Sequence, residues 1–165
     1  MASGWSTDSD TAPDTRFTRV TVEIRRARPG DLDTVLALVE EYCEADGHEF
    51  EPVRARAGIE PLLADDVHGV IWLAELDGTA DGYAAVTWGW SIEIGGPDVV
   101  LDELYVRTQR QGTGAALIER LEADCRARAV RRIFLETEAG NDGARRLYAR
   151  HGYVADDSIW MAKTL

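Results

Sequence analysis

A stretch that runs from a strand into a glycine-bearing loop and straight on into a helix constrains this chain more than any other. Leu101-Asp-Glu-Leu-Tyr-Val106 reads as a strand, Gln109-Arg-Gln-Gly112-Thr-Gly114 supplies the loop, and Ala115-Ala-Leu-Ile opens a helical pattern. Glycine lets backbone approach a ligand closely, and a helix start presents unpaired N–H groups at the positive end of its dipole. That combination suits a phosphate or pyrophosphate. A dinucleotide-binding turn would need a third glycine where Leu117 stands. Glu136 lies at about the right distance for the acid of that motif, but the strand comes late and follows hairpins, which is wrong for a doubly wound sheet. A nucleotide-triphosphate loop would need a Gly-Lys-Ser/Thr run, which is absent here. Glycines that merely serve a tight turn are the plainest alternative.

The surrounding pattern places this turn in a mixed fold. A first strand is expected over residues 20–27, followed by Pro29-Gly30-Asp31 with Asp31 as helix N-cap. Leu32, Val35, Leu36, Val39, Tyr42 and Cys43 then recur at helical spacing, and a shorter helix lies within 53–64, its end uncertain at Pro61. Apolar runs at 70–76 and 82–90 flank Asp77-Gly78, a hairpin signal, and Gly95-Gly96-Pro97 turns into the strand 99–106. A helix over 112–129, a strand over 132–137, a helix capped by Asn141 and stopped near Gly152, and a closing strand at Ile159-Trp160-Met161 complete the order. Antiparallel hairpins joined to a strand–helix–strand crossover imply a mixed sheet with helices on both faces, an α/β (α+β) architecture.

Composition narrows the function classes. The 165 residues suit one domain, expected over 19–165, and residues 1–18, rich in Ser, Thr, Asp, Ala and Gly, read as a flexible tail. No apolar run approaches the roughly 20 residues of a membrane span, and the start lacks a signal-peptide core, so the chain reads as cytoplasmic. Eighteen Lys and Arg against thirty Asp and Glu give a net charge of −12, which argues against nucleic acid and would favour a cationic substrate, although acidity for solubility alone is as good an account. Cys43 and Cys125 match no metal or redox spacing; both fall on apolar helix stripes and read as buried thiols, and no metal site is expected.

Three motifs occur in order. Gln109-Arg110-Gln111-Gly112-Thr113-Gly114 resembles the [RQ]-x-x-G-x-[GA] pyrophosphate motif of the GNAT acetyltransferases, Asn141 through Ala144 to Tyr148 resembles their N-x-x-A-x-x-x-Y segment, and Arg150-His151-Gly152-Tyr153 resembles the x-x-G-[FY] that follows. The resemblance covers about residues 20–165 in element order, with its sharp motifs in 99–153. Most members place about two more residues between strand and motif than separate Val106 from Gln109. A register from Gln111 to Ala116 is therefore the alternative; the first is preferred because the helix 114–121 then aligns without a gap.

The resemblance implies the GNAT fold, a central sheet splayed between two parallel strands, and acetyl-CoA as co-substrate. Its pantetheine arm would pair with backbone of Leu104, Tyr105 and Val106, its pyrophosphate would rest on Gln109, Arg110, Gln111, Gly112, Thr113, Gly114 and Ala115, and Asn141, Ala144 and Tyr148 would close the other side. Tyr148 occupies the family's general-acid position, to protonate the departing thiolate. Leu101-Asp102-Glu103-Leu104-Tyr105-Val106 also resembles the Leu-Glu-Asp-x-x-Val stretch of diamine acetyltransferases.

Direct transfer needs an unprotonated amine, whose pKa is ordinarily about 10.4, and a carboxylate near it can take the proton directly or through water. Glu103 is the first choice and Asp102 the second, with Glu93 and Glu136 behind. Alternation sends Asp102 and Glu103 to opposite faces unless a bulge turns both to one cleft. Trp88, Trp90 and Glu93 at the hairpin, with His48 after the first helix, are candidates for the amine pocket, because aromatics beside acids suit a cation; core packing for the tryptophans and a plain loop position for His48 are the competing accounts. The expected activity is acetylation of a small cationic amine such as a polyamine, amino-acid derivative or aminoglycoside-like compound. Acetylation of a protein N-terminus or lysine, and non-catalytic acyl-CoA sensing, share every motif. A homodimer using Trp160 is the expected partner arrangement, since GNAT proteins often pair.

Overall fold

A computed structural model describes residues 21–109 and 111–164. The expected tail over 1–18 and Arg110 lie outside them. The elements are β1 (Val22–Arg26), a 3-10 turn (Pro29–Asp31), α1 (Leu32–Asp46), α2 (Pro52–Ala64), β2 (Gly69–Leu76), β3 (Thr79–Ser91), β4 (Gly96–Val106), α3 (Thr113–Ala127), β5 (Arg132–Leu135) and α4 (Asp142–Arg150). The sheet runs β1-β2-β3-β4-β5, with antiparallel pairs from β1 to β4 and a parallel β4–β5 pair.

Local chemistry explains most boundaries. Asp77 and Gly78 both adopt positive φ, 50° and 81°, as a two-residue turn matched to strand twist requires, and β2 and β3 pair across it. Glu51 caps α2 with both carboxylate oxygens, accepting from the N–H groups of Val53 at 3.0 Å and Arg54 at 2.7 Å. Pro61 is carried inside α2, which ends three residues later. Asn141 Oδ1 accepts the Ala144 N–H at 3.0 Å and caps α4 as expected. Asp31 stands before α1 but does not cap it. Its carboxylate is gripped in bidentate fashion by Arg25, at 2.8 and 2.9 Å, and accepts the Arg28 N–H. A paired charge outcompetes a lone helix amide for those oxygens.

Alternation along β2 and β3 divides the core between the sheet faces. Val70, Trp72, Ala84 and Val86 meet Leu117, Ile118, Leu121 and Cys125 of α3 and Tyr148 of α4. Ile71, Leu73, Tyr83 and Ala85 meet Val35, Leu38 and Val39 of α1 and Ile59 and Leu63 of α2. Cys125 is buried as expected, whereas Cys43 is only half-buried.

The closing strand at Ile159-Trp160-Met161 is a correction: among the described residues no strand follows α4, and Trp160 is 62% exposed. A strand needs a backbone edge within hydrogen-bond reach. β5 offers only four residues, and both β5 and residues 153–160 line a trough of about 1510 Å³.

Candidate functional site

The two parallel strands part at the expected place. β4 and β5 pair only from Asp98↔Arg132 to Leu101↔Leu135. Beyond Leu101, β4 continues to Val106 hydrogen-bonded to β3 alone, since β5 stops at Leu135. Asp102, Glu103, Leu104, Tyr105 and Val106 therefore turn a free backbone edge toward the gap, which an extended ligand can pair with as an added strand.

A bulge opens on the same stretch. Ala85 faces Glu103 and Val86 faces Leu101, so Asp102 is the extra residue on β4. Its effect is to bring both residues to one cavity of about 250 Å³ between the sheet and the α1–α2 pair, Glu103 half-buried and Asp102 exposed at its mouth. The Tyr83 hydroxyl donates to Glu103 Oε2 at 2.6 Å. Burial raises the Glu103 carboxyl above its ordinary range and the neighbouring Asp102 adds to that, while the Tyr83 bond opposes it. Tyr42, about one turn before the end of α1, has its phenol pushed up to about 12, by burial first and then by Asp46 and Glu103, with Tyr148 adding a smaller push.

The loop after β4 is held from behind by one buried carboxylate. Asp81 of β3, 4% exposed, accepts the Thr108 N–H on Oδ1 at 3.1 Å and the Thr113 hydroxyl on Oδ2 at 2.9 Å. Its backbone carbonyl accepts the Arg107 N–H at 2.7 Å. Arg107 in turn forks onto Glu41 of α1, at 2.6 and 2.7 Å, and donates to the Ala80 carbonyl. Gly112, at φ 87°, turns the chain into α3, a conformation that favours glycine. The first helical bond runs from the Ala116 N–H to the Gly112 carbonyl, which leaves the amides of Thr113, Gly114 and Ala115 at the helix start. Gln109 and Gln111 are exposed at the loop tip. A Cβ on Gly114 would meet Leu147 Cδ2 at 3.1 Å, so this residue also lets α4 come close.

Tyr148 is buried on the inner face of α4, its ring centroid 5.7 Å from that of Tyr153, and burial raises its phenol. It lines the trough beside β5 and not the Glu103 cavity. Asn141 is spent on capping α4, and Ala144 is half-buried against the core.

Four expected pocket residues are not brought to that cavity. Trp88 packs on the α3 side of the sheet, where its indole N–H donates to the Asp66 carbonyl at 2.8 Å and Arg128 lies 4.7 Å above its ring. Trp90, at the far end of β3, is 75% exposed, and Glu93 is exposed in the next turn. His48 is exposed and leans on Asp46 at 3.4 Å. Pairing of β3 with β4 puts Trp88 and Trp90 opposite Val99 and Pro97, at the end of β4 remote from Glu103. Glu136 is exposed beyond β5. The residues missed are Tyr83, Tyr42 and Asp81; an aspartate inside the apolar run of β3 was the available signal for the last.

A carboxyl held in an apolar wall beside a free backbone edge, with helix-start amides on the loop that follows the same strand, can hold an extended anionic ligand and take a proton from a second molecule. No curated protein matches the sequence significantly. Among solved structures, an integron cassette protein from the mobile metagenome of Cole Harbour Salt Marsh is 26% identical with a TM-score of 0.77, covering 86% of this chain and 90% of that one. A ribosomal-protein-alanine N-acetyltransferase from Brucella melitensis biovar Abortus 2308 is 22% identical with a TM-score of 0.72, covering 87% and 100%. The aminoglycoside N-acetyltransferase AAC(6')-Iy, in complex with CoA, is 17% identical with a TM-score of 0.74, covering 88% and 95%. The model of the acetyltransferase (GNAT) family matches residues 35–153. With the parted strands, the glycine turn and that match in agreement, the chain belongs to the acetyltransferase (GNAT) family.

Proposed function

We propose that this protein transfers the acetyl group of acetyl-CoA directly to the primary amine of a small cationic molecule. The observation that carries the reading is the free edge of β4 from Asp102 to Val106, which opens beside the carboxyl of Glu103. The residues present fit acetyl-CoA: an unpaired backbone edge for the amide-bearing arm at Leu104, Tyr105 and Val106, and helix-start amides at Thr113, Gly114 and Ala115 for the pyrophosphate.

In this reading Glu103 takes the ammonium proton, and burial, by raising its carboxyl above the ordinary range, makes its carboxylate a stronger base. The amine nitrogen then bonds to the thioester carbon as the carbon–sulfur bond breaks. The leaving sulfur takes a proton from Tyr148, the second proton shed by the nitrogen restores that phenol, and Glu103 passes the first proton to solvent, so that one proton is released per turnover. Tyr83 holds Glu103 in place, and Asp102, exposed at the mouth of the same cavity, adds a weaker, water-screened pull on the approaching cation.

Thiol release from acetyl-CoA, measured with a panel of amines and peptides, tests the proposal. Amine-dependent release with small amines is expected. Release only with peptides would move the assignment to a protein acetyltransferase. Calorimetric binding of acetyl-CoA without release for any acceptor would make the chain a sensor and end the proposal.

A further inference from the structure

We infer that the acceptor is a monoamine with a compact apolar body, on the size scale of 2-phenylethylamine or isoamylamine, rather than a polyamine or an aminoglycoside. The inference rests on the acetyl-transfer reading above and narrows its substrate.

Three features of the Glu103 cavity carry it. The first is its size. About 250 Å³ corresponds to roughly eight waters at about 30 Å³ each, below the 300–1,000 Å³ usual for drug-sized ligands. That volume takes one amine and a body of a few carbons, or a single ring.

The second is the walls. Val39, Phe50, Ile59, Leu62, Ile71 and Ala85 line the space together with Glu103, Ala85 being its cross-strand neighbour. An apolar body gains from leaving water there, whereas sugar hydroxyls would lose hydrogen bonds that these side chains cannot replace.

The third is the supply of negative charge. Glu103 is the acid set into the wall, and it is hydrogen-bonded to Tyr83. Both oxygens of Glu51 are spent on the α2 amides, and Asp102 and Glu49 sit exposed at the rim, where water screens them. Arg54, also at the rim, repels a second cation. A second ammonium carried inside would therefore lose its hydration without gaining a partner. The tryptophans that would have favoured a polycation through cation–π contact lie elsewhere on the sheet.

The test measures acetyl-CoA thiol release with 2-phenylethylamine, isoamylamine, putrescine, spermidine and kanamycin, together with calorimetric titration of the CoA-loaded protein with each. The expected result is a kcat/KM for the two apolar monoamines at least tenfold above that for the polycations, with the same order in binding. Phe50→Glu should narrow that ratio by raising turnover of putrescine. Release that is equal or faster with the polycations overturns this inference and leaves acetyl transfer standing. Failure of every amine to release thiol, with acetyl-CoA bound, overturns the transfer reading and this inference with it.

Discussion

Replacing Asp81 with alanine removes the carboxylate that ties the first part of the glycine loop to the first residue of α3. Two hydrogen bonds end on it, from the Thr108 amide at 3.1 Å and the Thr113 hydroxyl at 2.9 Å. Bonds to a charged acceptor contribute about 1.5–3 kcal/mol each, so about 3–6 kcal/mol is the ceiling. Water can reach the Thr108 amide from the loop side, but the Thr113 hydroxyl, on a residue 1% exposed, would be left buried without its acceptor. A loss near the lower end, about 3 kcal/mol, is therefore expected, equivalent to a fall in Tm of roughly 6–12 °C at about 2–4 °C per kcal/mol. Because the same bonds set the direction of the Thr113, Gly114 and Ala115 amides, the Kd for acetyl-CoA should rise at least tenfold, about 1.4 kcal/mol. Urea melts and acetyl-CoA calorimetry on Asp81→Ala, Thr113→Val and the double variant make the measurement, with a coupling of about 1.5 kcal/mol or more expected between the sites. An Asp81→Ala protein that melts early yet binds acetyl-CoA like the parent would refute the loop-holding role. Absence of coupling would refute the bond itself as the cause.

Three further outcomes follow from the site. Tyr148→Phe should cut kcat at least tenfold with acetyl-CoA affinity nearly unchanged; unchanged turnover in a steady-state assay would remove the phenol from the mechanism. Glu103 has its carboxyl raised on folding, so its ionisation opposes the folded state, and that penalty grows as pH climbs past the ordinary carboxyl value toward the raised one. Glu103→Gln should accordingly melt higher than the parent at pH 8 and equal to it near pH 3, and should lose the acidic limb of kcat/KM; a constant offset across that range would contradict the sign. Gly82→Ala drives a Cβ into the Tyr105 carbonyl oxygen and to 3.0 Å from Val106 Cα, on the strand proposed to pair with the pantetheine arm. A destabilisation of about 1–3 kcal/mol and a higher KM for acetyl-CoA are expected, and a wild-type melt would show that β3 and β4 have slack there.

Sequence alone determined what local chemistry decides. The alternation and helical periods, the Asp77-Gly78 turn, the Asn141 cap and the run from β4 through Gly112 into α3 each depend on residues within a few positions of one another, and each is found where expected. Asp102 and Glu103 could be proposed as a pair, but whether both meet one cavity depended on a bulge, and the bulge arises from how β4 registers against β3. That register also sent Trp88 and Trp90 to the wrong end of the sheet, brought Tyr83 onto Glu103, and set Asp81 beneath a loop 27 and 32 residues away at Thr108 and Thr113. The stretch Ile159-Trp160-Met161 has strand propensity and no strand, because a ladder is a property of two edges and β5 offers only a short one. Side-chain periods are written along one chain; which side chains share a wall is settled only when distant segments pair.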